Sequence, residues 1–221
     1  MLPKQENYQL ARQLAVENLR RSDLADRAFC SGGQHRGGKE NGEQIGLKYL
    51  GRDLIFSFPG GSVTAADGDP ISLREEIFIL HYLENASGAP LTGKWISFSE
   101  IPGGTFYYPV FANRCQAALI KAFGQDLERL HSLIAGGQAE NLGLGDVGLR
   151  VWGLPRIPLG FVVWRGDAEF QAEGKVLFDS SVSQYLPVED IVVLAETVVW
   201  KLVKTKSQSP QRAQSPQRKE L

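Results

Sequence analysis

Residues 156–202 read RIPLGFVVWRGDAEFQAEGKVLFDSSVSQYLPVEDIVVLAETVVWKL. Leu159 to Trp164 is apolar on both faces, which is the pattern of an interior strand. Gly166-Asp167 ends that strand. Phe170 and the run Val176-Leu177-Phe178 predict a hairpin or a bent pair of strands. Pro187 then stands at the first turn of a helix, since its fixed φ suits that position and its missing N–H is not needed there. Glu189 and Asp190 lie at the positive end of the helix dipole, and Lys201 and Lys204 at the negative end. The segment is rich in Val, but its length and charge placement decide for helix. Its narrow polar face predicts deep burial.

Working outward, Trp95 to Cys115 reads WISFSEIPGGTFYYPVFANRC, an aromatic-dense stretch around a Pro-Gly-Gly turn. A helix is expected to start near Pro109 and run to Gly124, with a second from Gln125 to Ile134. Leu149, Val151 and Trp152 predict a short strand before Pro155. Nearer the N-terminus, Ile45, Leu47 and Tyr49 alternate with polar or small residues, as do Leu54, Phe56 and Phe58. Gly51-Arg52 between them predicts a hairpin with a type II′ turn. Ser72-Leu73-Arg74-Glu75 is a capping box opening a helix through Ile77, Leu80 and Leu83, stopped at Gly88 and Pro90. Residues 7–22 carry a helical stripe of Tyr8, Leu10, Ala11, Leu14, Ala15 and Leu19. The five glycines between Gly32 and Gly42 predict a flexible connection. The fold class that follows is α+β: one domain over 1–204, a mostly antiparallel sheet holding the 45–58 hairpin and the 159–179 strands, and helices packed on it. Residues 205–221 repeat QSPQRA as QSPQRK and lack the apolar residues to fold.

A chain of 221 residues with 43% hydrophobic and 22% charged residues is ordinary for a globular protein. The net charge of −1 hides an asymmetry. From Lys204 onward there are five basic residues and one acid. Removing them from 24 basic and 25 acidic residues leaves 19 and 24, so the body carries about −5. That balance argues against nucleic acid as the partner, because phosphate binding needs a basic face. With no run of about 18 apolar residues and no signal-like N-terminus, a soluble cytoplasmic protein without a membrane partner is expected.

Several motifs fail on inspection. Gly88 to Lys94 (GAPLTGK) has the spacing of a nucleotide phosphate loop, but Trp95 replaces the required Ser or Thr and the loop leaves a helix. Gly60-Gly61-Ser62-Val63-Thr64 misses the last glycine of a nucleophile elbow. His35, His81 and His131 are scattered and show no paired metal-ligand spacing, so no metal site is expected. A single histidine as axial ligand to a corrinoid or haem is the one metal-related role left to them. Cys30 and Cys115 are too few for a disulfide framework.

The blocks LTGKWISFSEIPGGTFYYPVF and PLGFVVWRGDAEF…VLFDSSVSQYLPVEDIVVLAE resemble the DUF3786 family of bacterial and archaeal proteins. The resemblance spans the chain from its first helix to about Leu202. It implies no established activity. Some members of the family look like fusions with an iron–sulfur domain of the corrinoid iron–sulfur type. The resemblance therefore implies corrinoid or anaerobic one-carbon metabolism, with any cluster on a partner, since this chain lacks the cysteines. Family members often read GDEEFP where this chain has Gly166-Asp167-Ala168-Glu169-Phe170-Gln171.

Three functional readings stay open. The first is a cofactor- or ligand-binding accessory module, with a corrinoid or other tetrapyrrole as the candidate cofactor and an iron–sulfur or corrinoid protein as the candidate partner. Its pocket would lie between the aromatic segment and the central block, lined by Trp95, Tyr107, Tyr108, Arg114 and Trp164. The second is an enzyme using the carboxylates Asp167, Glu169 and Asp179 as acid, base or cation ligands. The third is a structural partner protein whose aromatic segment is an interface. Each candidate also has a local use: Asp167 and Asp179 can close turns, and the aromatics can be core.

Overall fold

Residues 4–38 and 42–205 are described in a computed structural model of the chain. The fold is α+β, with two antiparallel sheets where the sequence suggested one. Of the predicted tail 205–221, residues 206–221 lie outside the described residues.

The first sheet is a four-stranded meander of β1 (Gln34–Gly38), β2 (Gly42–Tyr49), β3 (Arg52–Phe58) and β4 (Ser62–Ala65), in that order. Ile45, Leu47, Tyr49, Leu54 and Phe56 bury one face. The other face carries Gln34, Lys48, Asp53 and Ile55, as the register dictates. Behind the buried face lie α1 (Lys4–Arg20), α2 (Leu24–Ser31) and α3 (Leu73–Asn85). The capping box at α3 forms as expected, Ser72 and Glu75 each accepting the other's backbone N–H.

The second sheet has the order β5-β9-β8-β7-β6. Its strands are β5 (Trp95–Ser97), β6 (Glu140–Asn141), β7 (Val147–Leu154), β8 (Ile157–Trp164) and β9 (Glu173–Asp179). The expectation that 159–164 is interior is met: β8 is central, and every residue from Ile157 to Val163 is buried. Across its inner face lie α4 (Gly104–Phe111), a π turn (Ala112–Gln116), α5 (Ala117–Phe123), α6 (Leu127–Ala135) and α7 (Val188–Lys204). Pro187 is the N-cap of α7, and Leu194, Ala195, Val198 and Val199 are essentially inaccessible. One contiguous set of buried apolar side chains runs through both halves, from Ala15 to Leu202.

Four local expectations need correction. The turn between β2 and β3 places both Leu50 (φ 50°) and Gly51 (φ 81°) at positive φ, so it is type I′ and not II′. Leucine tolerates that region because its N–H donates to the Gly153 carbonyl at 2.9 Å and its carbonyl accepts from Lys201 Nζ. The glycine-rich 32–42 stretch is no mere connection, because its two sides pair as β1 and β2. Ladder bonds and close backbone approach hold it: a Cβ on Gly37 would sit 2.3 Å from the Gly42 carbonyl oxygen. The helix expected from Pro109 starts at Gly104 instead, with Pro109 inside it. Proline removes one i→i−4 bond, and the chain widens into the π turn directly beyond. On α1 the buried stripe is Ala15, Val16 and Leu19, whereas Tyr8, Leu10 and Leu14 are exposed.

Candidate functional site

The sequence-predicted residues do not converge. Asp167 sits in the loop after β8, and Asp179 closes β9. Because β8 and β9 run antiparallel, with Trp164 opposite Glu173 and Leu159 opposite Phe178, these carboxylates lie at opposite ends of the pair. Asp167 accepts the N–H groups of Glu169 (2.8 Å) and Phe170 (2.7 Å), an Asx turn at the surface that lowers its carboxyl's pKa. Glu169 is exposed.

Asp179 is buried, and its carboxylate is fully engaged. It accepts from Thr92 N (3.1 Å), Thr92 Oγ1 (3.0 Å), Gly93 N (2.8 Å), Ser181 N (3.0 Å) and Ser181 Oγ (2.7 Å). Burial alone would raise this carboxyl's pKa, but the hydrogen bonds from Ser181 and Thr92 outweigh it and the net shift is downward. The GAPLTGK loop thus does cradle an anion with its backbone amides, but the anion is the protein's own.

The aromatic candidates are equally dispersed. Trp95 pairs opposite Asp179, while Trp164 lies at the far end of β8 under the Lys175 ammonium, 5.3 Å from the ring centroid. Tyr107 donates to Glu189, Tyr108 to Gln116 (3.2 Å), and Arg114 pairs with Glu196 at 3.4 Å. The first and third of these contacts fasten α4 and the π turn to α7, and the second ties α4 to the π turn, rather than framing a hollow. The stacked pair Phe98–Phe111, with centroids 4.1 Å apart, lies under them as core. Cys115 is buried among these helices, and burial raises its thiol to about 12, which removes the thiolate needed for ligation or attack. His81 is held by Asp190 at 2.7 Å and His35 by Glu43 at 3.0 Å. Among the described residues no group of three or more His, Cys, Asp or Glu could hold a metal ion, and no helix is long and apolar enough to cross a membrane.

A hollow does exist elsewhere. A groove of about 1040 Å³ runs between the solvent-facing side of the first sheet and the edge of β7 that β6 leaves free. One wall presents Gln34, Arg36, Lys48, Asp53 and Ile55, with bare Gly46 between them. The other is built from Glu140, Arg150, Val151 and Trp152, and the last two turns of α7 contribute Val198, Lys201 and Leu202.

The walls differ in how their groups are held. Trp152 is 39% exposed, yet it is fixed in place. Its Nε1–H donates to Glu140 at 2.9 Å, and the Arg150 guanidinium, itself paired with Glu140, lies 5.8 Å from the ring centroid. The hydrogen bonds from Arg150 and Trp152 keep the Glu140 carboxyl below its usual pKa. An exposed indole whose orientation is already set loses little freedom when a ring stacks on it. Lys201 points back to the Leu50 carbonyl, and the Leu50 N–H donates to the carbonyl of Gly153, the residue after Trp152 in the chain. Burial, then the charge of Arg52, lowers the pKa of Lys201. Neither Lys201 nor Arg36 has a carboxylate partner among the described residues, whereas Lys48 is paired with Asp53 at 2.8 Å.

Sequence reasoning passed over this groove. The signal that existed was local: Arg150 and Trp152 alternate with Leu149 and Val151, giving one strand a charged-aromatic face. Glu140 and Lys201, which complete it, come from distant segments and carry no such mark.

Neither the search of curated proteins nor that of solved structures returned a match. Residues 23–201, from the N-cap of α2 into the last turn of α7, match the model described as "Domain of unknown function (DUF3786)", and the chain belongs to that family.

Proposed function

We propose that this protein is a ligand-binding accessory module whose ligand lies in the groove between the first sheet and the free edge of β7. The observation that carries this reading is the pre-set indole of Trp152, held by Glu140 and Arg150 at the groove wall. A planar ring would stack on it, and anionic substituents would meet Arg36 and Lys201. Among the described residues no Ser, Cys or His lines the groove, and the Lys201 amine there is bonded to the Leu50 carbonyl, which favours binding over turnover. The three carboxylates once considered as catalytic are split between the two ends of the β8–β9 pair, which counts against the enzyme reading.

The link to corrinoid and iron–sulfur metabolism rests on the family resemblance. The donor set does not fit a corrinoid or haem held through an axial imidazole, because no histidine lines the groove. Nor does it fit an iron–sulfur cluster, because Cys30 and Cys115 are separately buried. The proposal therefore places such groups on a partner protein, with this chain beside it.

Titration of the purified protein with flavin mononucleotide and ADP tests the groove by tryptophan fluorescence and calorimetry. At least one of these ligands should bind the wild type, and Trp152→Ala should weaken it roughly tenfold, the scale of one aromatic contact. Trp95→Ala should leave it unchanged. Equal binding by Trp152→Ala and wild type, or binding lost in Trp95→Ala alone, would overturn the groove.

A further inference from the structure

Gly46 stands in the middle of β2, between the inward-facing Ile45 and Leu47, and so lies on the solvent-facing side of the first sheet. The register sets it opposite Gln34 of β1 on one side and Ile55 of β3 on the other, and all three line the groove. A glycine inside a strand has a cost. It loses more backbone freedom on folding than any other residue, and it offers its cross-strand neighbours no side chain.

The fold does not account for this one. Of the four glycines that line the groove, Gly32, Gly51 and Gly137 stand at φ of 71°, 81° and 69°, where an L side chain would be strained. The φ of Gly46 lies outside that region. Packing does not require it either. In the same meander, a Cβ on Gly33 would sit 2.9 Å from the Gly46 carbonyl oxygen, and one on Gly37 2.3 Å from the Gly42 carbonyl oxygen, so close backbone approach explains both. A Cβ on Gly46 would meet only the Gln34 carbonyl oxygen, at 3.9 Å, which is an ordinary contact. Beyond its chain neighbours, no side chain of the described residues comes within 4 Å of that position. The sheet therefore carries an uncovered dip with a floor of bare backbone. Gln34 edges it on one side and Ile55 on the other, and the wall with Trp152 faces it.

A strand glycine that neither backbone nor packing needs is expected where a ligand comes close to the main chain. We propose that Gly46 is the specificity-determining residue of the groove, its bare backbone seating one flat face of a ring whose other face meets Trp152. A side chain at this position would stand off the sheet into the space the ring takes. The ligand class so selected is a planar heteroaromatic ring bearing an anionic group, as in a flavin or purine nucleotide. The flat seat sets the ring, and Arg36, next on the same face of β1, sets the charge. The proposal deepens the ligand-binding reading and rests on it.

Flavin mononucleotide and ADP are titrated by calorimetry into wild type, Gly46→Ala, Gly46→Val, Trp152→Ala and Gln44→Val. Gln44 lies on the same strand and face as Gly46 but outside the groove, so it reports any general effect on the sheet. Without ligand, Gly46→Val should melt at or above the wild type, because a β-branched residue suits a strand. It should bind at least roughly tenfold more weakly, with Gly46→Ala between them and Gln44→Val equal to wild type. Failure of Gly46→Val to fold, or a marked drop in its melting temperature, would mean that the fold itself needs the glycine and overturns the proposal. Wild-type affinity in Gly46→Val, or an equal loss in Gln44→Val, overturns it too. Binding weakened in Trp152→Ala but not in Gly46→Val would keep the groove reading and remove this one. The reverse would keep the seat on the sheet and remove Trp152 as the stacking wall. A wild type that binds neither nucleotide overturns both.

Discussion

His81 and Asp190 tie α3 to the first turn of α7 through a 2.7 Å contact, and this contact makes stability depend on pH. The hydrogen bond to Asp190 raises the His81 pKa above 6.5, burial opposes it, and the charges of Asp190 and Glu84 add to the rise. A raised folded-state pKa means that the charged pair stabilises fully below about 6.5 and is lost as pH climbs through the raised value. The melting temperature of the wild type should therefore fall relative to His81→Gln as pH rises from about 6 to about 9. A constant difference across that range would show that the pair carries no protonation-linked stability. At this scale the sequence was readable for turns and caps, where one residue type answers one backbone need. Ser72 with Glu75 and Asp167 with Phe170 are such cases. It was not readable for Asp179, whose five donors come from residues 92, 93 and 181, nor for His81, whose partner lies 109 residues on.

Elements with a strong burial period were legible, and those held by backbone alone were not. Both β8 and α7 announce themselves, because an interior strand is apolar on both faces and a buried helix is apolar nearly all round. Leu194 is fully buried on α7 against the second sheet, where a Cβ on Gly153 would sit 3.0 Å from it. Leu194→Ala should cost about 2–5 kcal/mol in chemical denaturation. A cost under about 0.5 kcal/mol, the usual surface value, would mean that α7 does not face a packed core. By contrast β1 (QHRGG) has no apolar residue to show a period, and pairing with β2 alone makes it a strand. Pro109 misled for a related reason: its preference for helix starts was outweighed by the core contacts of Phe111 and Cys115 beyond it.

At the scale of the whole molecule, two sheets meet along β2 and β7, and the groove is what their meeting leaves open. Its residues span positions 32 to 205, so no window of sequence contains it. The aromatic segment drew attention because its residues are adjacent in the chain, yet they fasten helices together instead of facing a hollow. The central claim is that the groove, with Trp152 on its wall, holds the ligand. Four tryptophans give four indole N–H signals, so the site can be read by nitrogen–proton NMR. The signals are assigned by single substitution and followed as flavin mononucleotide or ADP is added. The groove reading predicts that the Trp152 indole signal moves with ligand while those of Trp95, Trp164 and Trp200 hold still. Movement at Trp95 or Trp164 with Trp152 unmoved, or no movement with any ligand that binds, would contradict it.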